Sequence, residues 1–311
     1  MDSISLVIDT VKRKLPNTIY NLDEPLKNYT SFKIGGPVRM IIFPENTSCL
    51  IEVSTICAEF GINPLIMGNG SNILASDDKL DIVVINTSRI NHIEFIGSKP
   101  TIRQKYRDIV VESGALLSKI AAFAYENSLT GLEFAQGIPG TLGGAVVMNA
   151  GAYGSEMKDV ILSTTAYNAK KGEYKLSLKE HEYSYRESCF TGTEDVVISS
   201  ILRLKKGDKE TIKQKMDELG KRRRKSQPLD LPSGGSTFKR PKKGYAAELI
   251  EQSGLKGYKI GDAQVSEKHA GFIINRKNAK FKDTIALIEH VQETVLKQTG
   301  IKLEPEVKII K

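Results

Sequence analysis

Hydrophobic positions in the first part of the chain change their spacing from one block to the next. From Met1 to Leu15, Ile4, Ile8, Val11 and Leu15 recur at helical spacing with charged residues between them, which predicts an amphipathic helix. Val38 to Phe43 is a β-branched apolar run ending at Pro44 and predicts a strand. Thr47 or Ser48 can cap a helix running to Phe60, with Leu50, Ile51, Ile56, Cys57 and Phe60 on its apolar side and Gly61 at its end. Ile62 to Met67 predicts a short buried strand and Ile82 to Ile85 another. A β-α-β unit therefore leads directly into Gly68-Asn69-Gly70-Ser71-Asn72.

A second region begins with strands around Ile93 to Ile96 and Ile109 to Glu112, followed by a helix from Leu116 to Asn127 that turns Leu117, Ile120, Ala121 and Ala124 inward. After a glycine-dense stretch, Gly137 to Gly154, the runs Val160 to Asn168 and Glu173 to Leu178 flank Lys170-Lys171-Gly172, a hairpin signal. Asp195 to Leu204 predicts the closing strand. A charged helix, Lys209 to Lys225, then meets Pro228, Pro232 and Gly234-Gly235, the composition of a domain junction. Beyond it lie a helix from Tyr245 to Gln252, a strand from Gly271 to Asn275, and a helix from Thr284 to Gln298 with Asp283 as N-cap and Gly300 past its end. Ile301 to Ile310 predicts a final strand with Ile301, Leu303, Val307 and Ile309 on one face and Glu304, Glu306 and Lys308 on the other.

Composition narrows the function classes. With 311 residues, 40% hydrophobic and 26% charged, the chain has the profile of a soluble globular protein of two or three domains. No stretch is apolar enough to insert in a membrane, and the N-terminal helix lacks the unbroken apolar core of a signal peptide, so a cytoplasmic protein is expected. Cys49, Cys57 and Cys189 form no C-x-x-C pair, and the four histidines show no metal-binding spacing. That pattern argues against a disulfide framework or a metal site and leaves redox chemistry to an organic cofactor. The net charge of +8 attracts phosphates. Its densest cluster, Lys221-Arg222-Arg223-Arg224-Lys225, has no recognition-helix or aromatic-stacking pattern around it and fits a solvated helix end or a small-anion site better than a nucleic-acid surface.

Two glycine clusters carry the strongest chemical signal. Gly68 and Gly70 follow a buried strand and allow successive backbone N–H groups to converge on a phosphate, with Ser71 and Asn72 as further donors and Ile73 beyond them. The segment lacks the third glycine of a dinucleotide fingerprint and the Lys-Ser/Thr of a P-loop, and an ordinary strand-to-turn connection accounts for it equally well. In Gly137-Ile138-Pro139-Gly140-Thr141-Leu142-Gly143-Gly144-Ala145, the loss of side-chain bulk lets backbone lie against a flat ligand; a glycine-rich core turn is the alternative. Arg186 lies among aromatic residues in Tyr183-Ser184-Tyr185-Arg186. Ser236 follows two glycines, where its default role is a turn residue, and no nucleophile elbow surrounds it. Glu306 is on the polar face of the last predicted strand, by default a solvated one.

Six segments in order resemble the UDP-N-acetylenolpyruvoylglucosamine reductase family: Asn28-Tyr29-Thr30-Ser31-Phe32-Lys33-Ile34-Gly35-Gly36-Pro37, the Gly68 loop, Gly131-Leu132-Glu133 through Gly154, Tyr183-x-Tyr185-Arg186, Gly235-Ser236-x-Phe238-Lys239 and Leu303-Glu304-Pro305-Glu306-Val307. The resemblance implies an α+β chain: a two-part FAD-binding fold of the vanillyl-alcohol oxidase type and a C-terminal α+β substrate domain. It implies boundaries at 1–88 and 89–206 for the FAD-binding subdomains, 207–303 for the substrate domain and 304–311 for a terminal strand carrying Glu306. The direct run from Tyr153 through the hairpin to Tyr185 is similar to the shorter family type, which lacks an extra substrate-covering loop.

The same resemblance implies a two-stage redox cycle in which NADPH reduces FAD and hydride passes to C3 of a UDP-sugar enolpyruvyl ether. FAD is expected at Gly68, Asn69, Gly70, Ser71, Asn72, Ile73, Gly137, Ile138, Pro139, Gly140, Gly143, Gly144 and Ala145. Substrate is expected at Tyr153, Lys225, Arg240 and His269. Arg186 and Glu306 would stabilise the enolate-like charge, and Ser236 would donate a proton to C2. Arg240 departs from the family pattern, in which asparagine commonly stands before the proline, and His269 stands where some members have glutamine. The expected protein is a monomer, inserts in no membrane, binds no nucleic acid and holds no metal. A flavin oxidase of the same fold acting on a hydroxy acid or alcohol is the alternative enzyme, and a nucleic-acid-binding module using the basic helix the alternative of another class.

Overall fold

The computed structural model describes residues 2–97 and 105–311. The amphipathic start of the chain, apart from Met1, which lies outside the described residues, forms the helix Ser3–Lys14. Asp2 caps it, its side chain accepting from the Ser5 N–H at 2.8 Å. Ile4, Val7, Ile8 and Val11 are buried with Leu50, Val53 and Ile56 from the helix Thr47–Glu59 in one apolar cluster. Asn46, one residue before the expected cap, starts that second helix by accepting from the Cys49 N–H at 2.9 Å. The four-stranded sheet beside them runs in the order Ile19–Pro25, Pro37–Phe43, Leu80–Asn86, Leu65–Met67. Its last two strands are parallel, with Ile66 opposite Ile85.

The second sheet is antiparallel, in the order Gly172–Ser177, Ile161–Asn168, Val196–Lys206, Tyr106–Glu112, Ile93–Phe95, with Leu129–Thr130 added beside Val196–Lys206. The hairpin expected at Lys170-Lys171-Gly172 forms, pairing Asn168 with Gly172, whose φ is +76°. The helices Leu117–Glu126 and Leu142–Val147 contribute to the core of this sheet, where Ile109, Ile120, Leu142, Val146 and Leu202 are buried.

The third sheet has the order Ser233–Ser236, Phe272–Asn275, Ala263–Val265, Lys259–Ile260. The helix Phe281–Thr299 packs against Ala263–Val265 and Lys259–Ile260. It starts earlier than the sequence predicts, with Lys280 rather than Asp283 at the N-cap, and ends at Gly300, φ +71°, as predicted. The predicted strand over Ile301 to Ile310 shortens to Lys308–Ile310, parallel to Ile73–Ala75. Pro305 has no N–H to continue a ladder and forms an isolated bridge to Phe238 instead. The inward side survives without the strand: Leu303 and Val307 are buried.

Contacts divide the chain into two compact units. The first comprises Met1–Asn21, Met40–Asn69 and Ile82–Lys221; the second comprises Leu22–Arg39, Gly70–Asp81 and Arg222–Lys311. The core of the second unit combines Phe32, Ile34 and Leu74 with Ile250, Ile273, Leu287 and Val291. Hydrogen bonds reinforce that long-range union, with the Ser31 hydroxyl donating to the Ser233 carbonyl at 2.6 Å and the Asn275 amide to the Phe32 carbonyl at 3.2 Å. Among the described residues no helix is long and apolar enough to cross a membrane.

Candidate active site

In the first unit the two glycine clusters meet. A Cβ on Gly68 would collide with the Thr141 hydroxyl, so the absence of a side chain sets how closely the loops approach. The Asn69 amide donates to the Pro139 carbonyl at 2.7 Å, and Asn86 donates to the Gly68 carbonyl at 3.1 Å. The second loop is anchored from behind: Leu142 N–H donates to the Ala115 carbonyl at 2.9 Å and Gly143 N–H to the Ser113 carbonyl at 2.8 Å. Ala145 is buried and Ile138 packs on the core, whereas Asn69, Gly137, Pro139 and Gly144 are exposed and Gly140 and Gly143 half-buried. A Cβ on Gly144 would meet nothing nearer than 4.0 Å, so the protein's own packing does not demand glycine there. A pinned, side-chain-poor ridge of backbone open to solvent fits a flat dinucleotide such as FAD.

Arg186 belongs to the same unit. The turn that carries it is closed by a hydrogen bond from Ser184 N–H to the Glu187 carbonyl at 3.1 Å, and Arg186 itself has φ +60°. Its guanidinium donates to the Gly151 carbonyl at 3.0 Å and lies 4.9 Å from the Tyr185 ring centroid. Tyr153, φ +57°, forms with Gly154 the tip of the hairpin Gly151–Ala152/Ser155–Glu156. Beside the arginine turn, Tyr183 stacks on His181 at 4.9 Å. His181 is fully buried, with Nδ1 2.8 Å from the Ser177 carbonyl and Nε2 2.8 Å from the Thr164 hydroxyl. A carbonyl only accepts, so Nδ1 carries the proton, and burial pushes the pKa down in favour of this neutral ring. Burial likewise pushes the Tyr183 phenol up.

The second unit holds the remainder of the first glycine loop. Gly70, φ +59°, lies against the Tyr29 carbonyl where a Cβ would collide, and its own carbonyl accepts from Ser31 N–H at 3.2 Å. Ser71 is half-buried and Ile73 buried. The Asn72 amide donates to the Glu306 carbonyl at 3.1 Å, and Lys308 N–H donates to the Asn72 carbonyl at 2.9 Å. Glu306 N–H in turn donates to the Thr237 carbonyl at 2.8 Å, directly after Ser236. Ser236 closes its strand opposite Phe272, preceded by Gly235 at φ +80°, and is half-buried, as is Glu306. The fold thus ties the backbone of Glu306 to that of the residue following Ser236.

Three substrate candidates lie in this unit as well. Lys225 is exposed in the last turn of the helix Lys209–Ser226, whose Arg224 carbonyl accepts from Lys268 Nζ at 2.6 Å. Arg240 is exposed, its guanidinium 4.2 Å from the Tyr245 ring centroid. His269 accepts from Gly271 N–H on Nδ1 at 3.2 Å and meets Phe272 edge-on at 5.0 Å; burial pushes its pKa down. Sequence reading did not single out Thr141, Asn149, Tyr245 or Lys268, whose contacts emerge only in the fold. Asn149 has φ +43°, a left-handed backbone that asparagine tolerates better than most residues.

Residues 38–176 match the family described as FAD binding domain, and residues 227–310 match the UDP-N-acetylenolpyruvoylglucosamine reductase C-terminal domain. The UDP-N-acetylenolpyruvoylglucosamine reductase of Caldanaerobacter subterraneus subsp. tengcongensis is 46% identical over 305 residues, covering 98% of this chain and 98% of that protein. The enzyme of the same name from Clostridium novyi is 46% identical over 285 residues, covering 92% of this chain and 90% of that protein. The crystal structure of UDP-N-acetylenolpyruvylglucosamine reductase from Thermus caldophilus is similar with a TM-score of 0.78 at 30% identity, covering 95% of this chain and 99% of that one.

Proposed function

The chain belongs to the UDP-N-acetylenolpyruvoylglucosamine reductase family, and from that membership we infer how one reaction is divided among its residues. It catalyses the NADPH-dependent reduction of UDP-N-acetylglucosamine enolpyruvate to UDP-N-acetylmuramate through FAD, in peptidoglycan precursor synthesis. The α+β fold joins an FAD-binding region to a C-terminal domain of this family, which favours the reductase over a flavin oxidase. Bound FAD supplies a two-electron relay between NADPH and C3 of the enolpyruvyl ether.

The backbone bond of 2.8 Å from Glu306 N–H to the carbonyl of Thr237, the residue after Ser236, supports the assignment of roles to these two residues. Hydride arriving at C3 of the carbon–carbon double bond leaves an electron pair on C2, delocalised onto the carboxylate. Arg186 opposes that charge, Glu306 orients the enolic form, and the Ser236 hydroxyl delivers the proton to C2, saturating the bond. An alcohol is a weak acid, so this role depends on the strong basicity of the carbanion-like partner.

Gly68, Asn69, Gly70, Ser71, Asn72 and Ile73 with Gly137, Ile138, Pro139, Gly140, Gly143, Gly144 and Ala145 would hold FAD. Lys225 and Arg240 would meet the diphosphate, with Tyr153 and His269 as further substrate contacts. We assign residues 1–88 and 89–206 to the FAD-binding subdomains, 207–303 to the substrate domain and 304–311 to the segment carrying Glu306. The matched regions, 38–176 and 227–310, fall on either side of residue 207, which is in keeping with a boundary there. A monomer working in the cytoplasm without nucleic acid completes the reading; the phosphates of nucleotide ligands account for the positive charge.

The purified protein is expected to show flavin absorption bands and to oxidise NADPH faster once the enolpyruvyl sugar nucleotide is added. A colourless protein unable to take up FAD overturns this reading. Rapid reoxidation of the reduced flavin by air, unaffected by that nucleotide, would mark an oxidase.

A further inference from the structure

We propose that Asn149 is a positioning residue whose side-chain amide fixes the turn that presents Arg186. The inference rests on the assignment of Arg186 to charge stabilisation and adds the device that holds it. Asn149 is 0% exposed, and both donors and the oxygen of its amide are engaged. Nδ2 donates to Glu156 Oε2 at 2.9 Å and to the Ser184 carbonyl at 3.0 Å, while Oδ1 accepts from Lys158 N–H at 3.0 Å. Rotating the amide by half a turn would set its oxygen against a carboxylate and a carbonyl, and its N–H groups against another N–H. Only one orientation is satisfied.

Glu156 is itself anchored, its Oε2 2.7 Å from Lys158 Nζ and its backbone N–H donating to Asp159 at 2.8 Å. Burial pushes its carboxyl up, but hydrogen bonds from Lys158 and Asn149 and the charges of Lys158 and Arg186 outweigh this and hold it below the ordinary range. Glu156 pairs across the hairpin with Gly151, whose carbonyl receives the Arg186 guanidinium at 3.0 Å. The segment from Asn149 to Lys158 therefore grips the arginine twice: at the backbone through Ser184, and at the guanidinium through Gly151. Two grips are needed because φ +60° is a conformation that L side chains disfavour, and the turn would relax without them.

Asn149→Asp tests this, since aspartate keeps the shape and tolerates positive φ but turns both donors into acceptors facing Glu156 and Ser184. In anaerobic stopped-flow measurements on the flavin-loaded enzyme, substrate-driven reoxidation is expected to slow about 10²-fold, the cost of a small misplacement of a reacting group. Flavin reduction by NADPH and flavin retention should stay at the wild-type level. Equal slowing of both half-reactions, or loss of FAD, would make Asn149 part of the cofactor support and overturn the proposal. If Asn149→Asp does not fold, Glu156→Ala against Glu156→Gln decides. Glutamine still accepts from Asn149, so slow substrate turnover in Glu156→Ala with rescue in Glu156→Gln upholds the proposal, and no difference between them overturns it. Arg186→Ala separates the two layers. Unchanged substrate turnover in that variant removes the role of Arg186 and this proposal with it, whereas slow turnover there beside normal turnover in Asn149→Asp overturns the positioning role alone.

Discussion

The hydroxyl of Ser236 has an ordinary side chain's acidity to offer, so its contribution comes from placement. Ser236→Ala is expected to leave flavin reduction by NADPH nearly intact while product formation falls about 10²- to 10⁴-fold, the range for loss of a general acid. Equal loss in both half-reactions would assign the serine to structure. A second residue-scale expectation concerns Arg240, whose guanidinium rests over the exposed Tyr245 ring. Tyr245→Ala should raise KM for the nucleotide substrate about two- to fivefold, the worth of an exposed cation–π contact, and Tyr245→Phe should restore it. Unchanged KM in Tyr245→Ala would show that the ring does not orient the arginine. Arg186, Ser236 and Glu306, the proposed catalytic residues, could be singled out from the sequence because each lies within a short motif. Asn149 could not, because its meaning depends on the Ser184 carbonyl 35 residues away. The Asn72 amide, expected as a phosphate donor, reaches the Glu306 carbonyl 234 residues on, a contact that no local pattern encodes.

Among the elements, the glycine loops make the sharpest expectation. Gly68→Ala drives a methyl group into the Thr141 hydroxyl, so the loops must part. We expect a destabilisation of about 1–3 kcal/mol, typical of overpacking, together with loss of bound FAD, read by thermal unfolding and by the flavin-to-protein absorbance ratio. Full FAD retention in this variant would mean that the contact between the loops is irrelevant to the cofactor. The strand Ile161–Asn168 and the short helix Leu178–His181 share the neutral imidazole of His181. Its folded pKa lies below the ordinary 6.5, so the unfolded chain binds the proton more readily. The stability this ring contributes is complete above pH 6.5 and is lost as pH falls toward the folded value. The limiting slope is about 1.4 kcal/mol per pH unit for one proton. Unfolding midpoints followed from pH 8 to 5 should show this acid loss, and a flat profile would exclude it. Elements with a clear period or cap were legible: the N-terminal helix, the hairpin at Gly172, the stop at Gly300. The strand predicted over Ile301 to Ile310 misled because Leu303 and Val307 are buried although pairing around Pro305 is limited to an isolated bridge.

For the molecule as a whole, the net charge of +8 makes ionic strength the relevant variable. With a Debye length of about 10 Å at 0.1 M salt, KM for the nucleotide should climb as salt is raised from 0.05 to 0.5 M while kcat changes little. An unresponsive KM would show that the excess charge lies away from the approach path. The sequence revealed regions in linear order, yet the second unit gathers Leu22–Arg39 and Gly70–Asp81 with Arg222–Lys311, and linear patterns carry no sign of such gathering. That union constrains how genes of this family can be shuffled. A crossover at residue 227, where the family's C-terminal domain begins, would transplant Ile250, Ile273 and Val291 but leave Phe32, Ile34 and Leu74 to the other parent. Such a hybrid inherits a core whose two faces were selected apart. Viable recombinants should be those in which residues 22–39 and 70–81 travel with the tail, or whose parents already agree in volume at these apolar positions.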